Sequence, residues 1–312
     1  IQGELTLGQL VAAELVLTTV FVGLSQLGTY LGHFYELCAA LDELSLFYAV
    51  EQEEADEDAE PFDGDASIEF VNARGDARGH QCTLDFTIRS GARVLAAAET
   101  HGEQRELTSF LKRHQRPTTG YIALGGNDIN GIQAHALRQQ IIVLDRPNAI
   151  EMTIREYLKL SGDGASSHRI LEALRIVGLE SPIAQLEDGL DTRIASTGCP
   201  LTITETMQLK LAAALIAKPR VLVLGLLFDT MPDDFLERSM DSLQESGQTT
   251  IIYFSGRLRN LGFDTYLYLG YSDQHLFATY DELCEHAEAH LCAAEPMPSG
   301  NVQDGPKLNP SM

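Results

Sequence analysis

The stretch Gly189–Asp229, GLDTRIASTGCPLTITETMQLKLAAALIAKPRVLVLGLLFD, carries the densest structural signals in the chain. Thr202 or Thr204 can cap a helix that holds Glu205 in its first turn and continues to Ile216. Lys218-Pro219-Arg220 then forms a turn, and Val221–Leu224 reads as a strand buried on both faces, since consecutive apolar residues leave neither face for solvent. Gly225 and Leu226 follow, and neither can hold a metal or move a proton.

Working outward, Ile68–Ala73 alternates as a strand does, Leu84, Phe86 and Ile88 alternate again, and Gly91 precedes an apolar run at Val94–Ala98. These predict two antiparallel strands feeding a core strand. Strand Ile141–Leu144, helices Ile154–Leu160 and Ser167–Val177, helix Asp233–Ser246 and strands Thr250–Phe254 and Thr265–Leu269 complete an alternating α/β order.

A length of 312 residues predicts about two units. Apolar residues make up 44% of the chain and concentrate in its first fifty positions. Leu15–Tyr35 is a run of 21 residues without formal charge. As a helix it would rise about 31 Å, close to the apolar thickness of a bilayer. Gly28 and Gly32 give it a G-x-x-x-G face suited to a protein neighbour. No Lys or Arg precedes Arg74, so loop charge is silent on orientation.

The net charge of −23 argues against a nucleic-acid partner, because phosphate backbones are met by clustered Lys and Arg. Five scattered cysteines without C-x-x-C spacing indicate neither a disulfide framework nor a zinc site, so the polar part reads as cytoplasmic. The histidines, among them His101, His114, His135 and His168, read as exposed or locally bonded. Ser90, Ser109 and Ser255 lack a nucleophile-elbow context. The segment 51–65 holds nine acidic residues and no basic one and does not meet the EF-hand pattern, so a solvated linker is expected. The Pro, Gly, Asn and Ser content after Ala293 predicts a disordered tail. The start at Ile1, without Met or a basic n-region, predicts a piece of a longer protein rather than a cleaved signal.

In order and spacing these segments resemble an ABC-transporter ATPase of the exporter type. That family carries a Gly-Leu-Asp-Thr loop, a later Gly, a signature Leu-Ser-Gly-Gly-Gln, a helix, a Lys/Asp-Pro-Arg turn and an apolar strand ending in Asp-Glu. Gly189–Thr192, Gly198, Leu201–Glu205, Lys218–Arg220 and Val221–Leu224 stand in those places, with Gly225 and Leu226 at the Asp-Glu positions. GELTLGQLVAAELVL, from Gly3, resembles the opening of an exporter's last transmembrane helix, and FYELCAALDELSLFYAVEQEE, from Phe34, resembles its cytoplasmic extension.

The resemblance implies an α/β, P-loop NTPase-like ABC nucleotide-binding domain, with a mixed sheet and a helical subdomain, preceded by one transmembrane helix. It divides the chain into helix and extension (1–50), acidic linker (51–66), ATPase-like domain (67–290) and tail (291–312). Counting back from Gly120 in PTTGYIALGGNDI places the phosphate loop at Ala98–Glu106, AETHGEQRE. A working loop reads G-x-x-x-x-G-K-[ST] and surrounds phosphates with backbone amides and a Lys. The nucleotide-binding equivalents here are Ala98, Gly102, Gln104, Arg105 and Glu106, with Gln104 at the Lys position and Asp145 at that of the family's magnesium-sensing Gln.

Glu99, Glu103 and Glu106 bring three carboxylates to the loop, opposed only by Arg105. At about 6 Å and an effective dielectric near 20, each like-charge contact with a nucleotide would cost roughly 3 kcal/mol. No base-stacking aromatic occurs in NARGDARG, and the switch His is replaced by Ser255 or Gly256. In the signature-equivalent Leu201, Thr202, Ile203, Thr204 and Glu205, two glycines are lost and an acid replaces an amide. A second reading of those residues is an ordinary helix start.

The expectation is therefore a pseudo-ATPase subunit with no cofactor in its own site, ATP and Mg2+ entering by family resemblance only. It would sit in a membrane, the bacterial inner or plasma membrane, with the ATPase-like domain cytoplasmic. A second ABC subunit would pair with it as homo- or heterodimer, a heterodimer with an intact ATPase being favoured. An ATP-hydrolysing exporter subunit with drifted motifs and a non-transport membrane scaffold remain the alternatives.

Overall fold

The protein is described by a computed structural model that covers residues 6–48, 62, 64–75, 83–162, 166–246, 249–270 and 274–293. It divides into two units, Ile1–Ala55 and Asp56–Met312. The first contains α1 (Leu7–Tyr48), a 42-residue helix with no buried residue and a mean hydropathy of 1.8 over its most apolar window. It is long and apolar enough to cross a membrane. Two of its hydroxyls are satisfied inside the helix: Thr18 and Thr19 each donate to the carbonyl one turn back, Glu14 and Leu15, at 2.8 Å. Such bonding lets polar residues sit on an apolar helix without an open donor.

The second unit is built from β1 (Ile68–Arg74), β2 (Thr83–Ile88), β3 (Arg93–Ala98), α2 (His101–Leu111), β4 (Thr119–Leu124), β5 (Asn127–Asp128), α3 (Ala134–Gln140) and β6 (Ile141–Leu144). It continues through β7 (Met152–Thr153), α4 (Ile154–Leu160), α5 (Ser167–Ile176), α6 (Glu180–Ala184), β8 (Arg193–Ile194), α7 (Ile203–Ala217) and β9 (Val221–Leu224). It ends with α8 (Asp233–Ser246), β10 (Thr250–Phe254), β11 (Thr265–Leu269), β12 (Gln274–Phe277) and α9 (Tyr280–Ala293).

A six-stranded sheet in the order β12-β11-β3-β10-β9-β6 is parallel except for β12. Strand side chains alternate between faces. Leu95, Leu222, Leu224, Ile251 and Tyr253 accordingly enter one core with Ile154, Ile170, Leu174, Leu209 and Leu236 of the helical layer. Val94, Ala96, Val221, Val223, Ile252 and Phe254 enter the other, with Leu107 and Phe110 of α2 and with Ile68, Phe70, Phe86 and Ile122. This two-sided burial is why Val221–Leu224 has no polar alternation. α7 is likewise apolar around most of its circumference because ten of its 15 residues are buried. Lys218 ends it in the left-handed region at φ 52°, and Pro219 prevents continuation.

Two expectations change here. β1 and β2 do not feed the sheet of β3; they pair with β4 and β5 in a separate four-stranded sheet, order β2-β1-β4-β5. Alternation predicts a strand but not which sheet it joins. α9 also runs through Ala293, past the expected domain edge at residue 290. Most of the acidic segment 51–66, and the tail beyond residue 293, lie outside the described residues.

Candidate functional site

β3 leads into α2 through Glu99 and Thr100 alone, so the expected nine-residue loop Ala98–Glu106 is mostly helix. The local cause is a capping box, whose two side chains satisfy the open amides of a helix start. Thr100 accepts from the Gly102 amide at 3.0 Å, and Glu103 accepts from the Thr100 amide at 2.9 Å and hydroxyl at 2.6 Å. Thr-x-x-Glu was present in the sequence as a signal for this helix start. The same device opens α4 with Thr153 and Glu156 and α7 with Thr202 and Glu205.

The charge expectation is corrected accordingly. Glu103 is 2% exposed and turned into its own helix cap, while Glu106, 3% exposed, packs against Gly75. Of the three carboxylates only Glu99 lines the cavity at the end of β3, and Arg105 is exposed. Gln104 is 5% exposed and lines that cavity. Gly225 is buried; a Cβ on it would stand 3.1 Å from the Asp145 Cα and 3.3 Å from the Gln104 Nε2. The fold thus brings together Gln104, Asp145 and Gly225, separated by up to 121 positions. Lys112 and Lys210 flank Asp145. Half-burial pulls both below the ordinary lysine value, and the Asp145 carboxylate acts in the opposite direction.

The cavity has a volume of about 310 Å3 and lies at the ends of β3, β10 and β11, with Leu226 and Ala287 on its wall. Ser255, at the switch-equivalent place, belongs to a buried polar network that sequence reading missed. Its hydroxyl donates to Asp229 Oδ1 at 2.7 Å, the Gly256 amide donates to Oδ2 at 2.9 Å, and the Tyr253 hydroxyl also donates to Oδ1. Arg259 approaches the same carboxylate at 3.8 Å and donates to the Phe228 carbonyl at 3.0 Å and the Met231 carbonyl at 3.1 Å. Burial, reinforced by its bond to Asp229, holds the Tyr253 phenol well above its ordinary value, so it stays a donor at any working pH. No local pattern marks these residues, because they meet only when the turn after β9 lies against the end of β10.

The signature-equivalent residues form the start of α7. Thr202 is the N-cap, accepting from the Glu205 amide at 3.2 Å, and Glu205 accepts from the Thr202 amide at 2.8 Å. Ile203 is 57% exposed, Thr204 bonds Thr230 at 3.2 Å, and none of Leu201–Glu205 lines the cavity. These residues thus form a capped helix start.

His286 and His290 are spaced H-x-x-x-H, which the reading of the histidines as exposed or locally bonded left out. His286 packs edge-on against Tyr268 at 4.6 Å and His275 at 4.8 Å, and the His290 side chain is outside the described residues. No group of three metal-ligating side chains occurs among the described residues.

Arg155 at the start of α4 forms a two-point pair with Asp191, at 2.7 and 3.1 Å, beside the β7–β8 pairing. The guanidinium hydrogen bonds hold the Asp191 carboxyl below the usual carboxylate range. A depressed folded value means that this contribution to stability is present at neutral pH and is lost as pH falls through the folded value. Arg155→Gln is expected to return Asp191 to an ordinary carboxylate titration, read by carbon-13 NMR of its side chain. An unchanged midpoint would show that the pair does not set it.

A mixed sheet, parallel but for β12, with a strand-to-helix turn at β3–α2 and a helical layer is the architecture of an ABC nucleotide-binding fold, as the structural comparison bears out. In sequence and in fold the chain is a relative of the ABC exporters. It is 25% identical over 173 residues to ABC transporter B family member 13 of Arabidopsis thaliana, covering 54% of this chain and 14% of that one. It is 28% identical over 183 residues to the cyclolysin secretion/processing ATP-binding protein CyaB of Bordetella pertussis, covering 57% and 26%. The structure of a bacterial Atm1-family ABC exporter with ATP bound superposes with a TM-score of 0.75 at 22% identity, over 95% of this chain and 54% of that one. The chain thus spans 14% and 26% of these curated relatives' lengths. No protein-family profile matches it.

Proposed function

We propose that this chain is an ABC-exporter-type subunit whose cassette does not turn over ATP and serves as a structural and regulatory partner of a second, ATP-hydrolysing subunit. α1 crosses the membrane, and the second unit lies on its cytoplasmic side. The observation that carries this reading is the self-capped junction between β3 and α2. There the Glu103 carboxylate already occupies the Thr100 amide, and the helix begins three residues before the position of the missing Lys, Gln104.

The residues present do not suit magnesium ATP. Gln104 offers no charge to a phosphate, Gly225 and Leu226 offer no oxygen to a metal, and Gly256 offers no imidazole. Asp145 next to Gly225 makes a restored carboxylate at 225 a like-charge neighbour. The helix-start role of Thr202 and Glu205 further suggests that this chain adds little to a partner's site.

The test is a titration of the full chain in lipid nanodiscs with a fluorescent ATP analogue and magnesium. A Kd weaker than about 1 mM, near −4 kcal/mol, is expected, and tighter binding would sink the reading.

A further inference from the structure

The cavity beside Gln104 has a character of its own. Ligands of open α/β sheets bind beyond the carboxyl ends of strands, where the chain order changes direction. β3 is such a strand: the chain continues from it toward β6 on one side and finally to β11 on the other. The cavity lies at its end, but its walls are mainly carbon, from Ala97, Ala98, Leu226, Phe254, Leu258 and Tyr268. Most hydroxyls at its edge are committed. Thr100 is held in the helix cap, and Ser255 donates to Asp229 while accepting from the Arg257 amide at 3.2 Å. Gln104 is different: it is 5% exposed, and no hydrogen bond of its side-chain amide occurs among the described residues. An amide that opens onto a small, mainly apolar cavity takes its partner from whatever enters that cavity.

We propose that this cavity binds a neutral, mainly apolar small molecule that carries one amide-like group, paired with the Gln104 side chain. The inference rests on the preceding reading, since a bound triphosphate would claim the same strand end. A dry cavity of about 150 Å3 holds a benzene-sized guest, so this one suits roughly ten to twelve heavy atoms. Carbon walls disfavour a full charge of either sign, and the rim carries both Glu99 and His101. Gln104 presents one donor face and one acceptor face, which a primary amide complements and a carboxylate or ammonium does not.

The experiment titrates the full chain in nanodiscs, with empty discs subtracted, using 3-phenylpropanamide, 3-phenylpropanoate and 3-phenylpropylamine by calorimetry. Saturable binding of the amide is expected, with each charged analogue at least about tenfold weaker. Gln104→Leu should weaken the amide about tenfold. Ala97→Leu, which places a side chain in the cavity, should abolish binding; if that variant unfolds, shifts of carbon-13 methyls of Ala97 and Ala98 on adding the amide to the parent protein report the same contact. No saturable binding of the amide, equal affinity in Gln104→Leu, or a charged analogue binding as well as the amide would overturn the proposal and leave the pseudo-ATPase reading standing. Binding of magnesium ATP in a parallel titration, displaced by none of the three probes, would instead sink the earlier reading.

Discussion

Asp229→Ala is expected to destabilise the Asp56–Met312 unit by about 3 kcal/mol, the scale for removing one member of a buried charged network. The Asp229 and Arg259 side chains are 13% and 14% exposed, so solvent replaces little of what is lost. The substitution leaves the Ser255 and Tyr253 hydroxyls and the Gly256 amide without their acceptor and removes the charge nearest Arg259 within the pocket. Asp229→Asn keeps the shape and one acceptor oxygen but loses the charge, so roughly half that effect is expected. Asp234→Ala is the control: its pair with Arg238 is 66% and 53% exposed, and such pairs contribute close to nothing. Urea unfolding of the full chain in detergent, followed by tyrosine fluorescence, gives all three. An Asp229→Ala midpoint within error of the Asp234→Ala midpoint would show that the network is incidental to the fold.

Gly120→Ala is expected to cost about 3–4 kcal/mol through backbone geometry alone. Gly120 lies at φ +74°, and an added Cβ would stand 2.1 Å from the Val71 carbonyl and 2.3 Å from the Asn72 carbonyl. Both obstacles are backbone of β1, the strand paired with β4, so neither can swing aside as a side chain would. Gly126 separates the two causes, because it has φ +77° but nothing within 4 Å of its would-be Cβ. Gly126→Ala should therefore show only the left-handed backbone cost, about 1–2 kcal/mol. Hydrogen exchange at Phe70 and Ile122, opposite each other in the β1–β4 register, should quicken in Gly120→Ala and stay slow in Gly126→Ala. Equal losses in the two variants would place the cost in conformation rather than in the clash.

The wall of side chains around Gln104 explains why part of the site was legible and part was not. Its neighbours Asp145 and Gly225 follow strands β6 and β9, which are adjacent in the sheet, so strand order alone predicts their meeting. Glu103 and Glu106 were read as charges facing a ligand because a loop exposes its side chains. The capping box made that segment helical instead, and helical spacing turned both carboxylates inward. Asp229, Tyr253, Ser255 and Arg259 gave no local sign at all, because hydrogen bonds over 24 to 31 positions depend on how β9 and β10 pack.

From the residues alone came the order of strands and helices, the span-length apolar helix and the start of α7. Those are fixed by short-range periodicity, capping and side-chain chemistry, which act within a few residues along the backbone. Only the tertiary structure decided that β1 and β2 leave the main sheet, that Glu103 turns into the cap of the helix after β3, and that mainly apolar side chains line the cavity beside Gln104. Those outcomes depend on which distant surfaces exclude water from one another, a property of the packed chain rather than of any segment of it.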